Sequence, residues 1–81
     1  MRLIQVLGPG CRRCEILAAN VEEAVRDLEL DARIEKVTDL ASIASMGVLS
    51  TPGLVVDGMV RTTGRLLTVR QVKEILEEPG P

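Results

Sequence analysis

The chain has 81 residues, of which 46% are hydrophobic and 27% charged, and carries a net charge of −2. This balance belongs to a soluble globular domain rather than a disordered or membrane-embedded chain, and the length supports one small core that buries a little over ~60% of the unfolded surface. Phe, Tyr, Trp and His are all absent, which removes aromatic platforms for nucleobases, Ser-His and Cys-His nucleophile pairs, and imidazole metal ligands.

The first element expected is a strand over Leu3-Ile4-Gln5-Val6-Leu7, a nearly continuous apolar run that suits a central position covered on both faces. The residues before Gly8 are too few for a signal-peptide core or a membrane span. That leads to the expectation of a cytoplasmic protein with no membrane partner. From Cys11 to about Glu29, apolar residues recur at Cys14, Leu17, Val21, Ala24, Val25 and Leu28, the spacing of a helix that lays one stripe on a sheet. Residues 32–37 then alternate, with Ala32 and Ile34 apolar and Arg33 and Glu35 charged, which predicts an edge or half-exposed strand. Strand, helix and strand make a parallel unit with a right-handed crossover.

A short second helix, capped by Thr38 or Asp39, is expected to run through Met46 and to stop at Gly47. Asp57-Gly58 sits between the apolar runs Leu54-Val55-Val56 and Met59-Val60, a hairpin signal that makes the last two strands antiparallel. After Gly64, Thr68 and Gln71 form a capping box for a final helix with Val69, Val72, Ile75 and Leu76 on one face. One domain over residues 1–78 is expected, with 79–81 as a frayed tail.

Both cysteines lie in Gly10-Cys11-Arg12-Arg13-Cys14, two residues apart at the start of the first helix. Thiols at that spacing can close a small disulfide ring, and the unpaired N–H groups and dipole of the helix start favour a thiolate at the first of them. Arg12 and Arg13 add positive charge between the sulfurs, or else are ordinary solvated residues of a helix start. In a reducing compartment a lone Cys-x-x-Cys is catalytic or metal-binding rather than a permanent staple.

The order strand-helix-strand-helix-hairpin-helix, with Cys-x-x-Cys after the first strand and Thr51-Pro52 before the third, resembles the thioredoxin superfamily, and within it the small redox-active disulfide proteins. The resemblance covers about residues 1–77 and rests on Gly10-Cys11-Arg12-Arg13-Cys14, on Thr51-Pro52 and on Gly64 after the last strand. It implies an α/β fold, a four-stranded mixed sheet in the order β-α-β-α-β-β-α with helices on both faces. It also implies a protein disulfide oxidoreductase in which Cys11 is the nucleophile, Cys14 the resolving thiol and Pro52 the residue after a cis peptide bond. Gly10, Arg12, Arg13, Thr51 and Gly64 would support that site. No cofactor beyond the redox-active disulfide and no metal is implied; the partners are protein disulfide substrates and an upstream thiol reductase, the protein being a monomer that binds no nucleic acid.

This chain departs from that pattern in three places. Pro9-Gly10 stands where thioredoxins carry an aromatic residue before the first cysteine. The first strand holds no acid for proton transfer, the nearest polar residue being Gln5, so solvent or Glu15 would take that part. Arg65 follows Gly64 where glutaredoxin-like proteins carry a second glycine for glutathione. The alternative from a different class is a thiolate module that captures copper(I), zinc or arsenite between Cys11 and Cys14.

Overall fold

The computed structural model describes residues 1–78; the tail expected over 79–81 lies outside the described residues. The central element is β1 (Arg2–Leu7), flanked by the parallel strand β2 (Ala32–Val37) and the antiparallel strand β3 (Gly53–Val56), with β4 (Met59–Thr63) outermost beside β3. The strand order β2-β1-β3-β4 is that of a mixed four-stranded sheet. The apolar run therefore took the centre and the charge-alternating run an edge, where its charged side chains reach water.

Successive side chains of a strand point to opposite faces, and the core divides accordingly. On one face, Ile4 and Val6 of β1 and Leu54 and Val56 of β3 pack against Leu17, Ala18, Val21 and Ala24 of α1 (Arg12–Asp27) and against Val72 and Leu76 of α3 (Val69–Glu77). On the other, Leu7 and Val55 pack against Ile43 of α2 (Leu40–Ser45) and against Val48. Helices thus cover both faces. With no aromatic residue available, the core is built from aliphatic side chains together with Cys14, and each fully buried Leu or Val contributes about 1.5 to 3 kcal/mol of transfer free energy.

Two helix ends differ slightly from the sequence expectation. α1 stops at Asp27, two residues early, because Glu29 takes a left-handed conformation (φ 51°) that turns the chain back toward β2 and lets Leu30 donate to the Val25 carbonyl. α2 ends at Ser45 with Met46 as its cap, a difference within the fraying of any short helix. Of its two candidate caps, Asp39 is the one whose carboxylate accepts the Ser42 N–H, at 3.0 Å. The Thr68–Gln71 capping box forms as expected.

Asp57 and Gly58 both have positive φ, 51° and 83°, as a two-residue hairpin turn requires to match strand twist. Asp57 also ties the hairpin to β1: its carboxylate accepts the Leu3 N–H at 2.8 Å and the Arg2 Nε at 3.0 Å. The Leu3 amide, and after it the Arg2 guanidinium, hold its carboxyl below the ordinary aspartate range. A group whose folded pKa is depressed stabilises the fold above its unfolded pKa and loses that contribution as pH falls through the folded value. Asp57→Asn should therefore be less stable than the parent at neutral pH, with the gap in urea midpoint closing as pH falls below about 4. A gap independent of pH would show that the carboxylate's charge is irrelevant there.

Candidate functional site

β1 delivers the chain to the end of the sheet, where Gly8-Pro9-Gly10 turns it into α1. Cys11 is the N-cap of that helix, with extended backbone (φ −70°, ψ 163°), and its sulfur accepts the Cys14 N–H at 3.3 Å. The Cys11 sulfur thus occupies the position where a capping oxygen normally satisfies a free helix amide. Three residues on, Cys14 falls on the buried stripe of α1, and the two are joined in a disulfide with Cα atoms 5.1 Å apart. Exposure separates them: Cys11 lies at the surface, whereas Cys14 is 5% exposed.

Gly8 explains how Cys14 is enclosed. A Cβ built on Gly8 would sit 2.8 Å from the Cys14 Cβ and nearer still to its sulfur, and 3.9 Å from the Thr51 Cβ. The strand end therefore runs directly over Cys14, with no room between them for a methyl group. Register brings the second loop to the same place. Leu7 pairs with Gly53, so Thr51-Pro52 arrives at the sheet end beside Gly8. The Thr51-Pro52 peptide bond is cis, Pro52 is fully buried and Thr51 is half-buried.

Gly64 joins these pieces. Its N–H donates to the Pro52 carbonyl at 2.8 Å and to the Ser50 carbonyl at 3.1 Å, and its own carbonyl accepts from Arg13 Nη2 at 3.1 Å. Gly64 has φ 70°, and an added Cβ would lie 2.9 Å from the Ser50 Cβ, so any side chain here would be strained and would push the two loops apart. The structure brings together Cys11, Cys14, Arg13, Thr51, Pro52 and Gly64. Arg12 and Gly10 adjoin them in the chain only: Arg12 is exposed and bonds none of them, and Gly10 has open space around it.

Glu15 is bound by Lys36, whose ammonium donates to its carboxylate at 3.0 Å; that hydrogen bond and the attraction between the charges raise the Lys36 pKa. Gln5 donates to Glu35 on β2 at 3.3 Å. Sequence reasoning missed Gly8 and Ser50. Nothing in residue type or spacing distinguishes a glycine that must lack a side chain from one that merely turns the chain.

The model of the thioredoxin domain family matches residues 2–77. The chain belongs to the thioredoxin superfamily. Among its relatives, a protein named thioredoxin from Methanothermobacter thermautotrophicus is 40% identical over 76 residues, covering 94% of this chain and 99% of that protein. Another protein of that name, from Methanocaldococcus jannaschii, is 39% identical over 77 residues, covering 95% of this chain and 88% of its own. With the Cys-x-x-Cys disulfide at the head of α1, this thioredoxin-superfamily chain is a thiol-disulfide oxidoreductase. None of these relatives favours the soft-metal alternative.

Proposed function

We propose that Cys11 is the attacking thiol and Cys14 the resolving thiol in the reduction of protein disulfides. The carrying observation is the asymmetry of the two sulfurs. Cys11 is exposed at a helix N-cap, where the Cys14 amide and the helix dipole favour a thiolate, while Cys14 is enclosed beneath Gly8. The Cys11 thiolate attacks one sulfur of the partner disulfide, forming a mixed disulfide and expelling the other as a thiolate that takes a proton from solvent. Cys14 gives its proton to solvent and attacks the Cys11 sulfur, closing the Cys11–Cys14 disulfide and releasing the second partner sulfur as a thiolate that takes a proton from solvent. Two electrons pass from the chain to its partner, and an upstream thiol reductase restores the dithiol.

In this reading the half-buried Thr51 and Gly64 form the surface against which an extended client segment is laid, with the buried Pro52 supporting the loop beneath them, Arg13 fastening Gly64 to the helix start and Arg12 adding charge beside Cys11. The described residues form no pocket, which suits a protein surface as substrate better than a small molecule that needs enclosure. The protein acts as a monomer with residues 1–78 as one domain, in the cytoplasm, with no cofactor besides the disulfide. Among the described residues no helix is long and apolar enough to cross a membrane. The test is reduction of a two-chain protein disulfide: reduced protein should cleave it stoichiometrically and, given a thiol reductant, catalytically. A reduced protein that leaves it intact while retaining stoichiometric copper or zinc would return the site to the metal-binding class.

A further inference from the structure

The six basic side chains Arg2, Arg33, Lys36, Arg61, Arg70 and Lys73 each pair with a carboxylate, and Arg26 lies in the last turn of α1 where the helix dipole favours it. The other three basic residues are Arg12, Arg13 and Arg65. All three are exposed, and none makes an ion pair among the described residues. They share one location: Arg12 follows Cys11, Arg13 reaches the Gly64 carbonyl, and Arg65 follows Gly64. Glu15, one helical turn beyond Cys11, is already paired with Lys36. A chain of net charge −2 thus presents a local excess of uncompensated positive charge around its exposed sulfur.

We infer that the disulfides this protein exchanges with are flanked by carboxylates, so that its clients present Asp or Glu beside the scissile bond. The inference rests on the proposed role of Cys11 as the attacking thiol and adds the charge of the partner. Guanidinium groups without an intramolecular carboxylate are free to meet carboxylates across an interface, and a cluster of one sign steers oppositely charged partners into encounter while repelling cationic ones. The same cluster would oppose a client with lysines beside its disulfide.

Three disulfide peptides that differ only in flanking Glu, Gln or Lys residues would test this with reduced full-length protein. Each rate is divided by that of the same peptide with dithiothreitol, to remove the peptide's own reactivity. At about 20 mM ionic strength the Glu peptide should react about tenfold faster than the Lys peptide, and at about 0.5 M salt the ratio should approach one. In Arg12→Gln with Arg65→Gln the low-salt ratio should fall several-fold; because it is a ratio within one variant, any change in thiol reactivity cancels. Equal rates for the Glu and Lys peptides at low salt, or a ratio untouched by the double substitution, would overturn the inference. If all three peptides resist the protein but yield to dithiothreitol, the oxidoreductase role of Cys11 fails first and this inference falls with it.

Discussion

Replacing Cys11 by Ser is expected to reduce disulfide exchange to the uncatalysed background, whereas replacing Cys14 by Ser should leave a protein that attacks its partners and stays joined to them. The two outcomes follow from where each sulfur sits. Cys11 is exposed at the N-cap, and without it the remaining thiol is 5% exposed and covered by Gly8. A serine hydroxyl at position 11 is no thiolate at neutral pH and cannot take its place. Without Cys14 the first step still proceeds, but nothing inside the protein can resolve the mixed disulfide. Mass spectrometry of Cys14→Ser after exposure to a disulfide peptide should show the adduct of protein plus half the peptide, and the Cys11→Ser sample should show none. Alkylation of the reduced parent should modify Cys11 first. Preferential alkylation of Cys14 would reverse the roles.

The second large effect is expected at a residue with no chemistry of its own. Gly8→Ala adds a methyl group at a point 2.8 Å from the Cys14 Cβ and closer to its sulfur. Cys14 cannot move aside freely, since it belongs to the first turn of α1 and its stripe is held down by Leu17, Ala18 and Val21. Either the start of α1 lifts from the end of β1 or the Leu7–Gly53 pairing shifts. Overpacking of this kind costs about 1 to 3 kcal/mol, which for a domain of this size lowers the melting temperature by about 5 to 20 °C. A lifted helix start would also uncover Cys14, so its alkylation in the reduced variant should become faster relative to Cys11. A variant with the parent's melting temperature and an equally protected Cys14 would show that the strand end yields at no cost.

The elements were legible because each is written locally. The three-and-four spacing from Cys14 to Ala24 marks one face of α1, Asp57-Gly58 marks the hairpin, and Thr68 with Gln71 marks the start of α3. The expected central and edge positions of β1 and β2 followed from the same kind of pattern, since a strand covered on both faces is nearly continuously apolar while an edge strand can carry charge into water. The spacing of the two cysteines was enough to bring their sulfurs to one helix turn, and the position of Cys14 on the apolar stripe was enough to suggest which would be buried.

What the sequence could not supply is what lies against each of these residues. The Arg13 guanidinium meets a carbonyl 51 residues away, that of Gly64, and Gly64 in turn carries Ser50 and Pro52. Gly8 reads as one more turn residue until β1, α1 and the Thr51-Pro52 loop are assembled and leave no space above Cys14. Likewise, Glu15 reads as a free acid one turn beyond Cys11 until β2 brings Lys36 beside it. By itself the sequence determined the elements and the dithiol, because hydrophobic period, capping and turn chemistry act between near neighbours in the chain. Only the tertiary structure decided which glycine must lack a side chain, which carbonyl Arg13 holds and which arginines remain unpaired, because close approach and charge pairing depend on distances between segments that the packing of the sheet alone sets.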